Sequence, residues 1–109
     1  MNYGVWDCAI VCDEYRQSIG CRPFPDGWMS VYEAGVTEVN SGSIIMDLIN
    51  THTTPASTPQ DGDICLIHDH RGIVSMATYY QGNILIFTEK LIKIPLSRIS
   101  HKVIGFYRY

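Results

Sequence analysis

Apolar side chains recur at helical spacing through Cys8, Val11, Cys12, Tyr15 and Ile19, which predicts a helix over 8–19 with this stripe turned to the core. Asp7 stands in the N-cap position, Gly20 closes the pattern, and Asp13, Glu14, Arg16 and Gln17 fall on the wet side. Residues 21–27 carry Pro23 and Pro25, whose fixed backbone angles exclude a helix; this loop returns Phe24 to the core. A short helix is expected next, with Trp28, Val31, Tyr32 and Ala34 on its buried side and Gly35 closing it. Ser43 is placed to cap a further helical piece through Ile44, Ile45, Leu48 and Ile49, although its β-branched residues also suit irregular structure. Residues 50–62 are polar, contain Pro55 and Pro59, and read as an exposed connection.

From Asp63 onward the period shortens. Ile64–Ile67, Ile73–Tyr80, Ile84–Phe87, Leu91–Ile94 and Val103–Tyr107 are short branched and aromatic runs, separated by turn signals at 69–72, 81–83 and 95–97. Helices first and strands afterwards predict an α+β domain: N-terminal helices over about 1–50, a linker over about 50–62, and a mostly antiparallel sheet of about five strands over about 63–109. At 109 residues the chain fits one domain, 1–109, with one core. Alternation places Tyr79, Tyr80, Tyr107 and Tyr109 as candidates for an exposed contact surface.

Charge narrows the partners. The formal net charge of -3 gives no general field for nucleic acid. It is distributed unevenly, with ten acidic and two basic side chains in residues 1–70 against one acidic and six basic in residues 71–109. No apolar run approaches the roughly 20 residues of a membrane span, and the N-terminus has no basic region followed by an apolar core. A cytosolic chain is the simplest expectation, and Cys8, Cys12, Cys21 and Cys65 are expected to be reduced.

Cys8 is the first candidate for chemistry. A thiol in the first turn of a helix has its thiolate favoured by the helix dipole and the unpaired backbone N–H groups. Catalysis also needs a base, and an orienting group for that base. His52, His68, His70 and His101 are the histidines; His68 and His70 flank Asp69 at a strand end, where alternation sends both to one face. The same residues also make a polar, solvated strand end, and Cys8 with Cys12 also makes an apolar helix face. Cys65, His68 and His70 with Cys8 and Cys12 match no compact zinc motif, so neither metal nor other cofactor is expected. The ending Phe106-Tyr107-Arg108-Tyr109 reads as a strand with one wet and one dry face.

In order and spacing these pieces resemble the NlpC/P60 family of papain-like cysteine peptidases, particularly the small versions found in tails of bacteriophages. Tyr3-Gly4-Val5-Trp6-Asp7-Cys8-Ala9-Ile10-Val11 is similar to the family's nucleophile segment, and Gly20-Cys21-Arg22-Pro23-Phe24-Pro25 to the loop that follows. Pro59-Gln60-Asp61-Gly62-Asp63-Ile64-Cys65-Leu66 resembles the approach to the first core strand. Tyr80-Gln81-Gly82-Asn83-Ile84-Leu85 resembles the hairpin after the catalytic His strand, and Val103-Ile104-Gly105-Phe106-Tyr107-Arg108 the closing strand. The resemblance implies Cys8 as nucleophile, yet it places the family's His near Val74 and its third polar residue near Ile86, both apolar here. His70 lies about four residues upstream of the first position, roughly 13 Å along an extended strand.

Two expectations follow from the resemblance. One is an inactive peptidase-like domain serving as a structural component of a phage tail tip or hub, made in the host cytoplasm, located in the virion and contacting other tail proteins. The other is an active peptidase or amidase cleaving peptidoglycan stem peptides during host entry, with Cys8 as nucleophile and His70 as base.

Overall fold

A computed structural model of the protein describes residues 6–25, 41–69, 72–87 and 91–109. The expected short helix around Trp28 to Gly35, and His70, lie outside the described residues. Three described helices, α1 (Trp6–Ser18), α2 (Ser41–His52) and α3 (Leu96–Ile99), accompany six strands: β1 (Thr54–Ala56), β2 (Ile64–His68), β3 (Val74–Tyr80), β4 (Asn83–Phe87), β5 (Leu91–Pro95) and β6 (Val103–Arg108). The sheet order is β1-β6-β2-β3-β4-β5, and every neighbouring pair is antiparallel. The α+β class is thus observed, with six strands where about five were expected.

The additional strand is β1, inside the stretch expected to be a connection. Three residues with a central proline have no alternation to reveal them. Thr54, Pro55 and Ala56 pair with Arg108, Tyr107 and Phe106 at one edge of the sheet, where a residue lacking an N–H is tolerated.

Helix α1 begins at Trp6, so Asp7 is its second residue and not its cap. Its end is as expected: Gly20 has φ +95°, Cys21 N–H donates to Arg16 O at 2.8 Å and Gly20 N–H to Gln17 O at 3.1 Å. These two bonds form a Schellman motif, in which a left-handed glycine lets the chain turn back and satisfy carbonyls of the last turn. The buried face, however, is Ala9, Cys12 and Arg16, while Val11, Tyr15 and Ile19 are half-buried. Arg16, expected on the wet side, is 2% exposed. In α2, Ile45 and Ile49 are fully buried and Ser43 is the third residue, inside the helix it was expected to cap.

Strand β2 is buried on both sides. Ile64 and Leu66 join Ala9, Cys12, Ile45, Ile49, Met76 and Tyr107 in a core under α1 and α2. Cys65 and Ile67 join Ala77, Ile84 and Ile86 in a second core on the far side of the sheet, closed by Leu96, Ile99, Ile92, Ile94 and Phe106. The pairing of β2 with β6 runs from Leu66↔Gly105 to Ile67↔Val103 and skips Ile104. This bulge re-aims side chains, so that Ile104 and Tyr107 pack on the helix side and Val103 and Phe106 on the far side. Tyr107 therefore lies buried over Gly105, where an added Cβ would meet its ring, and is no part of an exposed tyrosine surface. Tyr79, Tyr80 and Tyr109 are half-buried.

The turns follow their sequence signals. Gln81 (φ 50°) and Gly82 (φ 80°) are both left-handed, as a two-residue hairpin closing Tyr80↔Asn83 requires. Between β2 and β3, Asp69 Oδ1 accepts the Ile73 N–H at 3.0 Å, and Gly72 N–H donates to Asp69 O at 2.9 Å.

Candidate functional site

Cys8 is the third residue of α1, and the path of that helix fixes which part of the sheet its start approaches. Cys12 Sγ donates to Ala77 O at 3.5 Å, and the Thr78 hydroxyl lies 3.2 Å from Cys12 Sγ and 3.5 Å from Cys12 O, with one proton for these two acceptors. One turn later, Arg16 Nε donates to Gly62 O at 2.8 Å, and Gly62 N–H donates to Tyr79 O at 2.8 Å. The helix therefore advances in the same direction as β3. Cys8 lies four residues, about 6 Å at 1.5 Å per residue, before Cys12, on a helix that packs over both β3 and β4.

Val74 and Ile86 lie on opposite faces of the sheet. Val74 packs against the core on the helix side, on the same face as Met76 and Thr78. Ile86 belongs to the far-side core with Ala77, because the register that pairs Thr78 with Leu85 sets Ala77 across from Ile86. An orienting group at Ile86 would be separated from Val74 by the sheet itself. On β4 the same face as Thr78 carries Leu85, with Asn83 at the hairpin end beside Tyr80.

The register also brings forward His68, which residue counting had left as part of a polar strand end. His68 pairs directly with Val74, and cross-strand partners share a face, so the imidazole stands on the helix side at the same end of β3. It is exposed, and its Nδ1 lies 3.2 Å from Gly72 O. A carbonyl only accepts, so Nδ1 carries the proton and Nε2 is the basic nitrogen. The signal was present in the alternation of Leu66 and His68.

The remaining thiols have different surroundings. Cys65 is fully buried, and desolvation first, with the nearby Cys12 second, pushes its thiol from 9.0 up to about 12. Such a group is a small hydrophobe at neutral pH. Cys21 is half-buried beside Gly62, whose φ of +92° and contact with Cys21 Sγ leave no room for a Cβ. Among the described residues no three His, Cys, Asp or Glu side chains come together as a metal site, and no helix is long and apolar enough to cross a membrane.

The sheet end of the domain is fastened by Asp63. Its carboxylate is buried and receives Arg108 Nε at 2.9 Å and Nη2 at 2.8 Å, as well as the Gln60 N–H at 2.8 Å. The hydrogen bond with Asp63 also raises the pKa of the exposed Arg108 guanidinium. The turn at 59–63 thus holds β2, β6 and the end of α1 together. Comparison with protein-family models, with curated proteins and with solved structures finds no match to this chain.

Proposed function

We propose that the chain is a non-catalytic structural module built on an NlpC/P60-like arrangement, serving in a bacteriophage tail tip or hub beside other tail proteins. One observation carries the non-catalytic part: Val74, where the resemblance places the family's His, is an aliphatic side chain packed into the helix-side core. An aliphatic side chain cannot accept a thiol proton. The tail setting is supported by the resemblance of the 3–11, 20–25, 59–66, 80–85 and 103–108 segments. Alkylation of Cys8, followed across pH by mass spectrometry of its peptide, is expected to show the profile of an unactivated thiol, with no release of fragments from purified cell wall. The chain is expected among the proteins of purified virions, and its absence from them removes the tail assignment.

His68 favours a second reading. Its position opposite Val74, with Nδ1 held by Gly72 O, provides an oriented base from β2 in place of the strand position taken by valine and of His70. In that reading Cys8 attacks stem peptides of peptidoglycan with His68 receiving its proton. A Cys8 pKa far below that of a free thiol, restored to the ordinary range by His68→Gln and accompanied by wall cleavage lost in Cys8→Ser, replaces the first reading with the second.

A further inference from the structure

At the C-terminal end of α1 two guanidinium groups share one aromatic ring. Arg22, which is exposed, places its guanidinium carbon 3.7 Å from the centroid of the Tyr109 ring, and the buried Arg16 places its own 5.6 Å from the same centroid and 5.0 Å from that of Phe24. Arg16 is fixed by Gly62 O and, through Nη1 at 3.2 Å, by Arg22 O. Of the neighbouring carboxylates, Asp13 accepts the Phe24 N–H through Oδ1 at 2.8 Å, and Asp63 holds Arg108. Neither Arg16 nor Arg22 makes an ion pair with these or any other described residue. Ring faces attract both cations but carry no net charge to cancel them, so two positive charges share one tyrosine ring with no ion-pair partner among the described residues.

We propose that this corner is a docking point for a carboxylate side chain of an acidic partner protein. Arg22 supplies the contact, since its planar fork matches the two oxygens of a carboxylate and remains open to solvent. Arg16, held by its bonds to Gly62 O and Arg22 O, contributes a second positive charge beside the same ring. Phe24 and Tyr109 meet edge to face at 6.1 Å and form the half-buried aromatic floor that protein contacts favour beside arginine. The site is remote in sequence from Cys8 and His68 and holds whichever way the thiol chemistry resolves.

The test is calorimetric titration of the full chain with a capped oligoglutamate peptide at low salt, beside the glutamine version of that peptide and inorganic phosphate. The glutamate peptide is expected to bind, to perturb the Tyr109 ring resonances and to weaken with added salt. Arg22→Gln, an exposed substitution that leaves the core intact, is expected to weaken it about tenfold. Equal binding of the glutamine peptide, binding unchanged by Arg22→Gln, or no binding at all overturns the proposal. Displacement of the peptide by phosphate at equal or lower concentration overturns the assignment to a carboxylate.

Discussion

The two sides of β2 and β3 are equally dry and are closed by different chemistry. On the far side, Cys65, Ile67, Ala77, Ile84 and Ile86 meet the apolar side chains of β5, α3 and β6, with Ser75 a buried polar side chain opposite Ile67. On the helix side, Ile64, Leu66 and Met76 are joined by buried polar contacts: Thr78 with Cys12, and Arg16 with Gly62. Apolar packing is non-directional, whereas a hydrogen bond has a partner and an angle. The far side therefore contributes burial, while the helix side also specifies where α1 stops along β3. That stopping point decides which strand residues the start of α1 approaches.

The comparison can be broken or sharpened by substitution. The largest effect is expected from Leu66→Ala, which removes a fully buried side chain under the helices and should cost about 2–5 kcal/mol in urea unfolding. Arg16→Met keeps the bulk but strips the Gly62 carbonyl of its donor, for an expected loss of about 1–3 kcal/mol. If Arg16→Met proves neutral, the polar bonds of the helix side do not secure α1 and the contrast between the two sides fails.

The smallest effect belongs to the far side and is seen only in alkali. The folded Cys65 thiol keeps its proton up to about 12, whereas the unfolded one loses it above 9.0. The unfolded state then binds fewer protons, so the contribution of Cys65 to stability is complete below 9.0 and declines as pH rises toward about 12. Between about pH 10 and 11 the loss is about 1.4 kcal/mol. Thermal unfolding across that interval should be less steep in Cys65→Ala by this amount, and an identical slope in both proteins would show that Cys65 is not desolvated.

Much of the architecture was legible because local chemistry and tertiary structure agree. Gly20 ended α1, Gln81-Gly82 turned the hairpin, and five branched runs became five strands. Arg16 was misplaced because a charged residue on a helix is ordinarily assigned to water; its burial depends on Gly62, Arg22, Phe24 and Tyr109, which are distant or irregular in sequence. Strand β1 was missed because its three residues become a strand only when β6 offers an edge. Around the candidate site, strand β4 carries apolar residues toward both sides, so its pattern does not reveal that Ile86 faces away from Val74.

By itself the sequence determined the class of fold, the order of its elements and the apolar residue at Val74, because these depend on local periodicity and on residue identity. Tertiary structure decided the faces. A bulge that skips Ile104 buried Tyr107, and a cross-strand register set His68 beside Val74 and Ile86 beyond reach. Facing is a property of pairs of strands, and a single chain pattern buried on both sides does not encode it.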